Sequence, residues 1–372
     1  MKSNAKGLYI HIPFCRNICT YCDFKKFIYN QKRVDDYFKS LFLQCNTLKE
    51  KKYRSIYIGG GTPSCIDKSN LISLLQLLSK HLYKNYEFSI ECNVEDINEE
   101  LLKILKDNKI NRLSIGIQTF NEKYIRYFNR HHNKQMAVDN IKLASKYFKN
   151  ISIDMIFAIN NQTIKELKED INTLISLPIT HVSYYSLLIE ENTILYAKKA
   201  LNVNDEIQAK MYTLINKELK KHGFIRYEIS SFAKHQKYQS YHNKLYWENK
   251  HYDALGLAAS GYIYNIRYTN NTNINAYIQN NFTLSEKNTL SKEDIMFDEI
   301  MLNLRLDKGI DINKFNKKFN ASLLDLYKEA ITKNINNNLL IKKNGKIKTT
   351  FKGSLLLNSI LVDFLNVCRA WH

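Results

Sequence analysis

Short apolar runs recur along the first half of the chain, and each is followed by a longer stretch in which apolar residues return every third or fourth position. The runs, at 7–14, 55–61, 87–94, 112–120, 151–159 and 181–189, are rich in Ile and aromatics and predict strands. The stretches between and after them predict helices over 34–49, 67–82, 98–106, 121–148, 163–177 and 205–222. Strand-then-helix units in succession imply parallel strands joined by right-handed crossovers, an α/β fold. A curved, partial (β/α)6 barrel is the natural closure, with a flat doubly wound sheet as the alternative. In either case chemistry gathers at the carboxyl ends of the strands. The polar residues there are Cys15, Gly59 to Thr62, Glu91, Gln118 and Asp154.

Beyond residue 223 the pattern shortens into small strands, aromatics and loops, and the Asn-rich stretch 269–281 predicts a surface connection. From residue 292 a small helical module begins; within "LLIKKNGKIKTTFKGSLLLNSILVDFL", Asn-Gly between two alternating segments predicts a hairpin followed by a helix. The expected division is a core barrel over 1–235, a connecting segment over 236–290 and a smaller winged-helix-like α+β domain over 291–372.

Composition narrows the class. A chain of 372 residues, 44% hydrophobic, can bury a large core. No window is long and apolar enough for a membrane span, and the chain runs from Lys2 into a strand without a signal-like core, so a cytoplasmic location is expected. Seven cysteines, an odd number, argue against a disulfide framework and point to metal or catalytic use. Cys45, Cys65, Cys92 and Cys368 stand alone in sequence, and Cys45 and Cys92 fall in patterns that suit small buried residues. The net charge of +19 would attract phosphate or carboxylate, but no basic block is concentrated enough to favour a nucleic-acid partner.

Cys15, Cys19 and Cys22 crowd into "YIHIPFCRNICTYCDF". Three thiolates in one loop can wrap a compact inorganic core, and an iron–sulfur cube held by three keeps one iron open. The competing use is a zinc site completed by His11, which the strand-like surroundings of that histidine disfavour.

The spacing, with Tyr21 before the third cysteine, resembles the radical S-adenosylmethionine (SAM) enzymes. That resemblance implies a radical-SAM barrel and a [4Fe-4S] cluster on Cys15, Cys19 and Cys22, with SAM on its open iron. It also implies a SAM site drawn from Tyr9, Tyr21, Gly60, Gly61, Thr62, Glu91, Gln118, Arg130 and Asp154. Together "YIGGGTPS", "RLSIGIQTF", "HVSYYSLLIE", "YEISSFA", "HNKLYW" and "LRLDKGI" resemble more narrowly the HemW group of haem chaperones, relatives of oxygen-independent coproporphyrinogen III oxidase. The group implies haem as ligand, an acceptor protein of unknown identity, a reductant such as flavodoxin or ferredoxin, and His242 of "HNKLYW" as a candidate haem-binding residue. Phe24 stands where the oxidase has a further cysteine, and only a short segment precedes Cys15; both favour the chaperone branch over oxidative decarboxylation of coproporphyrinogen. An RNA-modifying protein of the same superfamily is the alternative of another class. Ala158, Asn160, Ala258 and Ser260 depart from the residues usual in the family, Gly among them, and predict crowding of a nucleotide pocket.

Overall fold

The computed structural model describes residues 5–49 and 51–369, with side chains as far as Leu365, so Lys2 and the side chain of Cys368 lie outside the described residues. Six strands, β1 (Gly7–Ile12), β2 (Tyr53–Gly60), β3 (Leu82–Asn93), β4 (Arg112–Gln118), β5 (Ile151–Phe157) and β6 (His181–Ser186), pair in parallel. Each pairs with the next in sequence. A doubly wound sheet would reverse its order partway; this one does not, which decides for the barrel topology.

The barrel is open. The free edge of β6 takes antiparallel β8 (Ser231–Ala233), which also pairs β7 (Ile225–Arg226), and the free edge of β1 takes β9 (Tyr252–Leu255) in parallel. Strands β10 (Ser260–Ile263), β11 (Ile266–Thr269) and β12 (Glu286–Thr289) extend that side.

Helices α1 (Gln31–Cys45), α2 (Lys68–Ser79), α3 (Glu99–Asp107), α4 (Lys134–Tyr147), α5 (Ile164–Ile175) and α6 (Asp205–Lys221) follow β1 to β6 in turn. Each is started by an Asn, Asp or Thr side chain that accepts a backbone N–H of the first turn, which fixes where the crossover begins.

Alternation along the strands sorts their side chains. Leu8, Ile10, Ile56, Ile58, Leu113, Ile115 and Ile153 are fully buried against the helices. The intervening residues, Tyr57, Glu91, Ser114, Asp154 and Ser183 among them, face a cavity of about 370 Å³. A closed β/α barrel fills its interior with branched apolar side chains; here the inner face is polar and the apolar core lies outside it, between sheet and helices.

Three expectations need correction. The single helix over 121–148 is two, Glu122–Tyr127 and α4, because Asn129 adopts a left-handed φ of 57°. The helix over 67–82 stops at Ser79, and Leu82 already opens β3. The stretch 269–281 is no mere surface connection: Tyr277 is fully buried and stacks on Tyr37 at 5.0 Å, and Asn270 donates to the carbonyls of Ala254 and Gly256. Its asparagines replace missing backbone partners, a use that composition does not reveal.

The C-terminal module has its own apolar core, centred on Ile300, Leu323, Ile347, Ile360 and Phe364. It comprises α8 (Lys292–Asn303), α9 (Ile312–Phe319), α10 (Lys328–Asn336), the hairpin β13 (Leu340–Lys343) and β14 (Lys346–Thr349), and α11 (Leu357–Arg369). Asn344 and Gly345 take positive φ of 50° and 69°, the turn predicted from Asn-Gly.

Candidate functional site

The cysteine loop leaves β1 at Pro13 and is stitched at its base, where Phe27 N–H donates to the Pro13 carbonyl at 2.7 Å and Tyr29 N–H to that of Cys15 at 2.8 Å. Its far side is tied to the break between Glu122–Tyr127 and α4. Thr20 donates to the carbonyls of Phe128 and Tyr127, Asn129 Nδ2 donates to that of Ile18 at 2.9 Å, and Tyr21 sets its ring edge-on to Phe128. The left-handed Asn129 thus interrupts a helix in order to hold the loop.

Cys15, Cys19 and Cys22 all line the cavity, and none is in a disulfide. Burial pushes the Cys15 thiol up to about 11, partly opposed by the Thr62 hydroxyl at 3.3 Å. Burial likewise raises Cys22, with Lys26 acting against it. Among the described residues no three His, Cys, Asp or Glu side chains converge as ligands of one ion would. Both ring nitrogens of His11 are engaged, Nε2 by the Lys25 carbonyl at 2.9 Å and Nδ1 by the Tyr9 hydroxyl at 3.0 Å. A cube carries its irons at separate corners and needs thiolates spread around it, so three thiols facing one cavity suit it.

The glycine turn is shaped by its neighbours. A Cβ on Gly59 would lie 2.9 Å from the Glu91 carboxylate, and Gly60 has φ of 114°, which favours glycine. Glu91 accepts from Tyr57 OH at 2.8 Å and from Gly60 N–H at 3.0 Å, and burial pushes it up to about 7. Each carboxylate oxygen keeps a further lone pair for a ligand hydroxyl.

Arg130 is buried and donates to Asn93 Oδ1 at 2.8 Å and to the Gly116 carbonyl at 2.6 Å, with Cys19 Sγ 3.6 Å away. Gln118 sits at a bulge between β4 and β5 with φ of 70°. Asp154 accepts from Ser114 Oγ at 2.8 Å, and burial raises its pKa.

Of the residues expected around SAM, Tyr21, Gly60, Gly61, Thr62, Glu91, Gln118, Arg130 and Asp154 line the cavity. Tyr9 does not: its hydroxyl bonds His11 Nδ1 at 3.0 Å and its ring stacks on Tyr57. Ala158, Asn160, Ala258 and Ser260 are not among the residues that line it. Ala158 and Ala258 keep a left-handed backbone, φ 57° and 58°, the conformation that glycine would take without strain.

His242 stands apart from the cysteine loop. It lies on α7 (Tyr241–Trp247) at the opposite, amino end of the strands and is 1% exposed. Its Nδ1 is 2.9 Å from Ser55 Oγ, its Nε2 is 2.7 Å from Tyr246 OH, and its ring stacks on Tyr57. Burial pushes it down to about 3. Both nitrogens are used inside the protein, leaving none for a haem iron in this conformation.

Arg112 and Asn93 were missed among the motif residues. The signal was present: Arg112 occupies an inward position two residues before Ser114 in "RLSIGIQTF", and it too lines the cavity.

Strand order, polar inner face and a three-thiol loop at the carboxyl ends together define a radical-SAM-type protein. The Radical SAM superfamily model matches residues 9–174, and the HemN C-terminal domain model matches 290–356. "Heme chaperone HemW" of Lactococcus lactis subsp. lactis (strain IL1403) is 36% identical to this chain, with 98% of each covered. That of Bacillus subtilis (strain 168) is 34% identical over 97% of this chain and 99% of its own. The chain belongs to the HemW family. Its fold is that of coproporphyrinogen III oxidase from Escherichia coli, a radical SAM enzyme, with a TM-score of 0.85 at 19% identity over 97% of this chain and 90% of that one.

Proposed function

We propose that this HemW-family chain is a cytoplasmic haem chaperone that binds a [4Fe-4S] cluster, SAM and haem and passes haem to an acceptor protein. The observation that carries the reading is the grouping of Cys15, Cys19 and Cys22 on one cavity that also carries exposed apolar side chains. Phe24 and Leu188, 60% and 61% exposed on that cavity, offer a flat ring and an aliphatic contact to a porphyrin. The cluster, when bound, supplies an open iron and an electron.

The chain's own residues do the rest. Cys15 and Cys22 release their thiol protons when they take up metal. Gly60, Gly61 and Thr62 bring backbone close to the ligand on that iron. Glu91 accepts its hydroxyls, while Arg130 and Asp154 fix its polar ends. Electrons would come from a flavodoxin- or ferredoxin-like reductant. The domain division at 235 and 290 is part of the proposal; the separate apolar core of the C-terminal module supports it.

The test is a haem titration of anaerobic, cluster-loaded protein, with and without SAM, on wild type, Phe24→Ser/Leu188→Ser and His242→Ala. Saturable binding near one haem per chain is expected, weakened by the double substitution. Absence of saturable binding in the wild type would sink the chaperone reading.

A further inference from the structure

The sulfur atoms of the three loop cysteines meet unequal donors. Cys15 Sγ receives the Thr62 hydroxyl at 3.3 Å, and Cys22 the backbone N–H of Phe24. Cys19 Sγ receives Nη1 of Arg130 at 3.6 Å, within reach for the larger sulfur acceptor. Lys26, the cation beside Cys22, is half-buried and directs its ammonium to the carbonyls of Cys22 and Phe24. Among the described residues, Arg130 is therefore the cation that donates to a sulfur of the loop, and its side chain is only 4% exposed.

Its place is fixed without a ligand. Nη1 also donates to Asn93 Oδ1 at 2.8 Å, Nη2 donates to the Gly116 carbonyl at 2.6 Å, and Nη2 lies 3.6 Å from Glu95 Oε2. Asn93 Nδ2 in turn donates to Thr62 Oγ1 at 3.4 Å, so the donors to Cys15 and Cys19 belong to one network. Glu95, in the single turn Val94–Asp96 that follows β3, engages the guanidinium nitrogen that does not face Cys19. His132, its side chain fully buried, has Nδ1 3.9 Å from the same carboxylate oxygen. Burial, together with the Arg130 charge, pushes His132 down to about 3, so near neutral pH the pair consists of one cation and one anion.

These two charges act in opposite senses on a cluster held by the loop. Reduction adds an electron, which a buried cation bonded to a ligand sulfur stabilises and a nearby carboxylate opposes. Hydrogen bonds to the sulfurs are among the levers that set such potentials. We infer that Arg130 and Glu95 form a charge pair that sets the reduction potential of the cluster: Arg130, bonded to Cys19, raises it, and Glu95 anchors Arg130 and limits the rise. Glu95 is not among the residues that line the cavity, so it is a positioning residue that acts through Arg130. The inference rests on the cluster part of the proposed function and is independent of haem.

The experiment is a reductive titration. Full-length protein is loaded anaerobically and titrated with dithionite in the presence of redox mediators and without SAM, with electron paramagnetic resonance reporting the reduced cluster, for wild type, Arg130→Gln and Glu95→Gln. At the potential where the wild-type cluster is half reduced, Arg130→Gln should lower the ratio of reduced to oxidised cluster about tenfold, a shift of about 59 mV for one electron. Glu95→Gln should raise that ratio severalfold. Opposite signs are the signature, because both substitutions loosen the same contacts and a purely structural effect would move both variants the same way. Shifts of one sign, or an unchanged potential in either variant, overturn the inference. If Arg130→Gln loads no cluster, Glu95→Gln decides: a raised ratio supports the pair, and an unchanged or lowered ratio overturns it. A wild type that loads no cluster defeats the cluster reading and this inference together. A wild type that loads a cluster but binds no haem defeats the chaperone reading alone, and the same titration still decides the role of the pair.

Discussion

The two ends of the parallel strands are built from much the same residue types, histidines, carboxylates, serines and tyrosines, yet differ in how these are partnered. At the amino end Glu87 receives the first backbone N–H groups of α7, Tyr241 and His242, both at 2.9 Å. His242 is held by Ser55 and Tyr246, and His181 by Ser152 and Tyr227. That end is a plug. At the carboxyl end three free thiols face a cavity, Glu91 is buried, and Arg130 Nη1 lies beside Cys19 Sγ. Buried polar groups that a chain satisfies by itself fix its shape; those it strains or leaves open await something else. "HNKLYW" is thus packed and internally partnered at the amino end, whereas the cysteine loop and glycine turn face the cavity.

The largest test of this contrast is at the mouth. Cys15→Ala, Cys19→Ala or Cys22→Ala should abolish cluster loading, read from iron content and cluster absorbance, whereas Cys45→Ala, buried in the outer core, should load normally. At the plug, His242→Ala should lower stability by about 4 kcal/mol in denaturant titration, since it opens a cavity and strands Ser55 and Tyr246, while haem binding by the folded fraction persists. A stable His242→Ala protein that has lost haem would reverse the comparison.

The ends should also respond oppositely to pH. Glu91 titrates at about 7 in the fold against 4.5 when unperturbed, so the native state binds the extra proton in that window and stability falls as pH rises through it. His242 titrates at about 3 against 6.5, so its contribution falls as pH drops through that range. Glu91→Gln should then gain about 3 kcal/mol over wild type at pH 8 relative to pH 4 in the cofactor-free protein, and lose SAM affinity. Equal unfolding midpoints at both pH values would remove Glu91 as the strained group.

The smallest effect expected is at Ala158 and Ala258. Each forces a Cβ into the left-handed region, so Ala158→Gly and Ala258→Gly should each stabilise by about 0.5 kcal/mol once the added freedom of the unfolded chain is subtracted. Thermal melts resolve that, and a destabilised glycine variant would show that the strain is relieved elsewhere.

The repeating strand and helix units, the cysteine loop, the glycine turn and the Asn-Gly hairpin were legible because each depends on residues close in sequence. Local spacing fixes periodicity, turn type and which groups share a loop. The partners of His242 were not legible, because Ser55 of β2 lies 187 residues away in the chain and only folding sets it beside the ring that Tyr246 holds from the same helix. The break at Asn129 was hidden for the same reason, since its value lies in contacts with a loop more than a hundred residues earlier.

What the sequence determined by itself is the parallel α/β class, the three-thiol loop and the family pattern, all carried by short-range order and by side-chain chemistry. Tertiary structure alone decided which strands cover the free edges of the barrel, that "HNKLYW" packs at its amino end and that Asn129 anchors the cysteine loop. Those properties are sums over strands distant in the chain, because satisfaction of a buried charge or hydrogen bond is a relation between groups that only folding brings within reach.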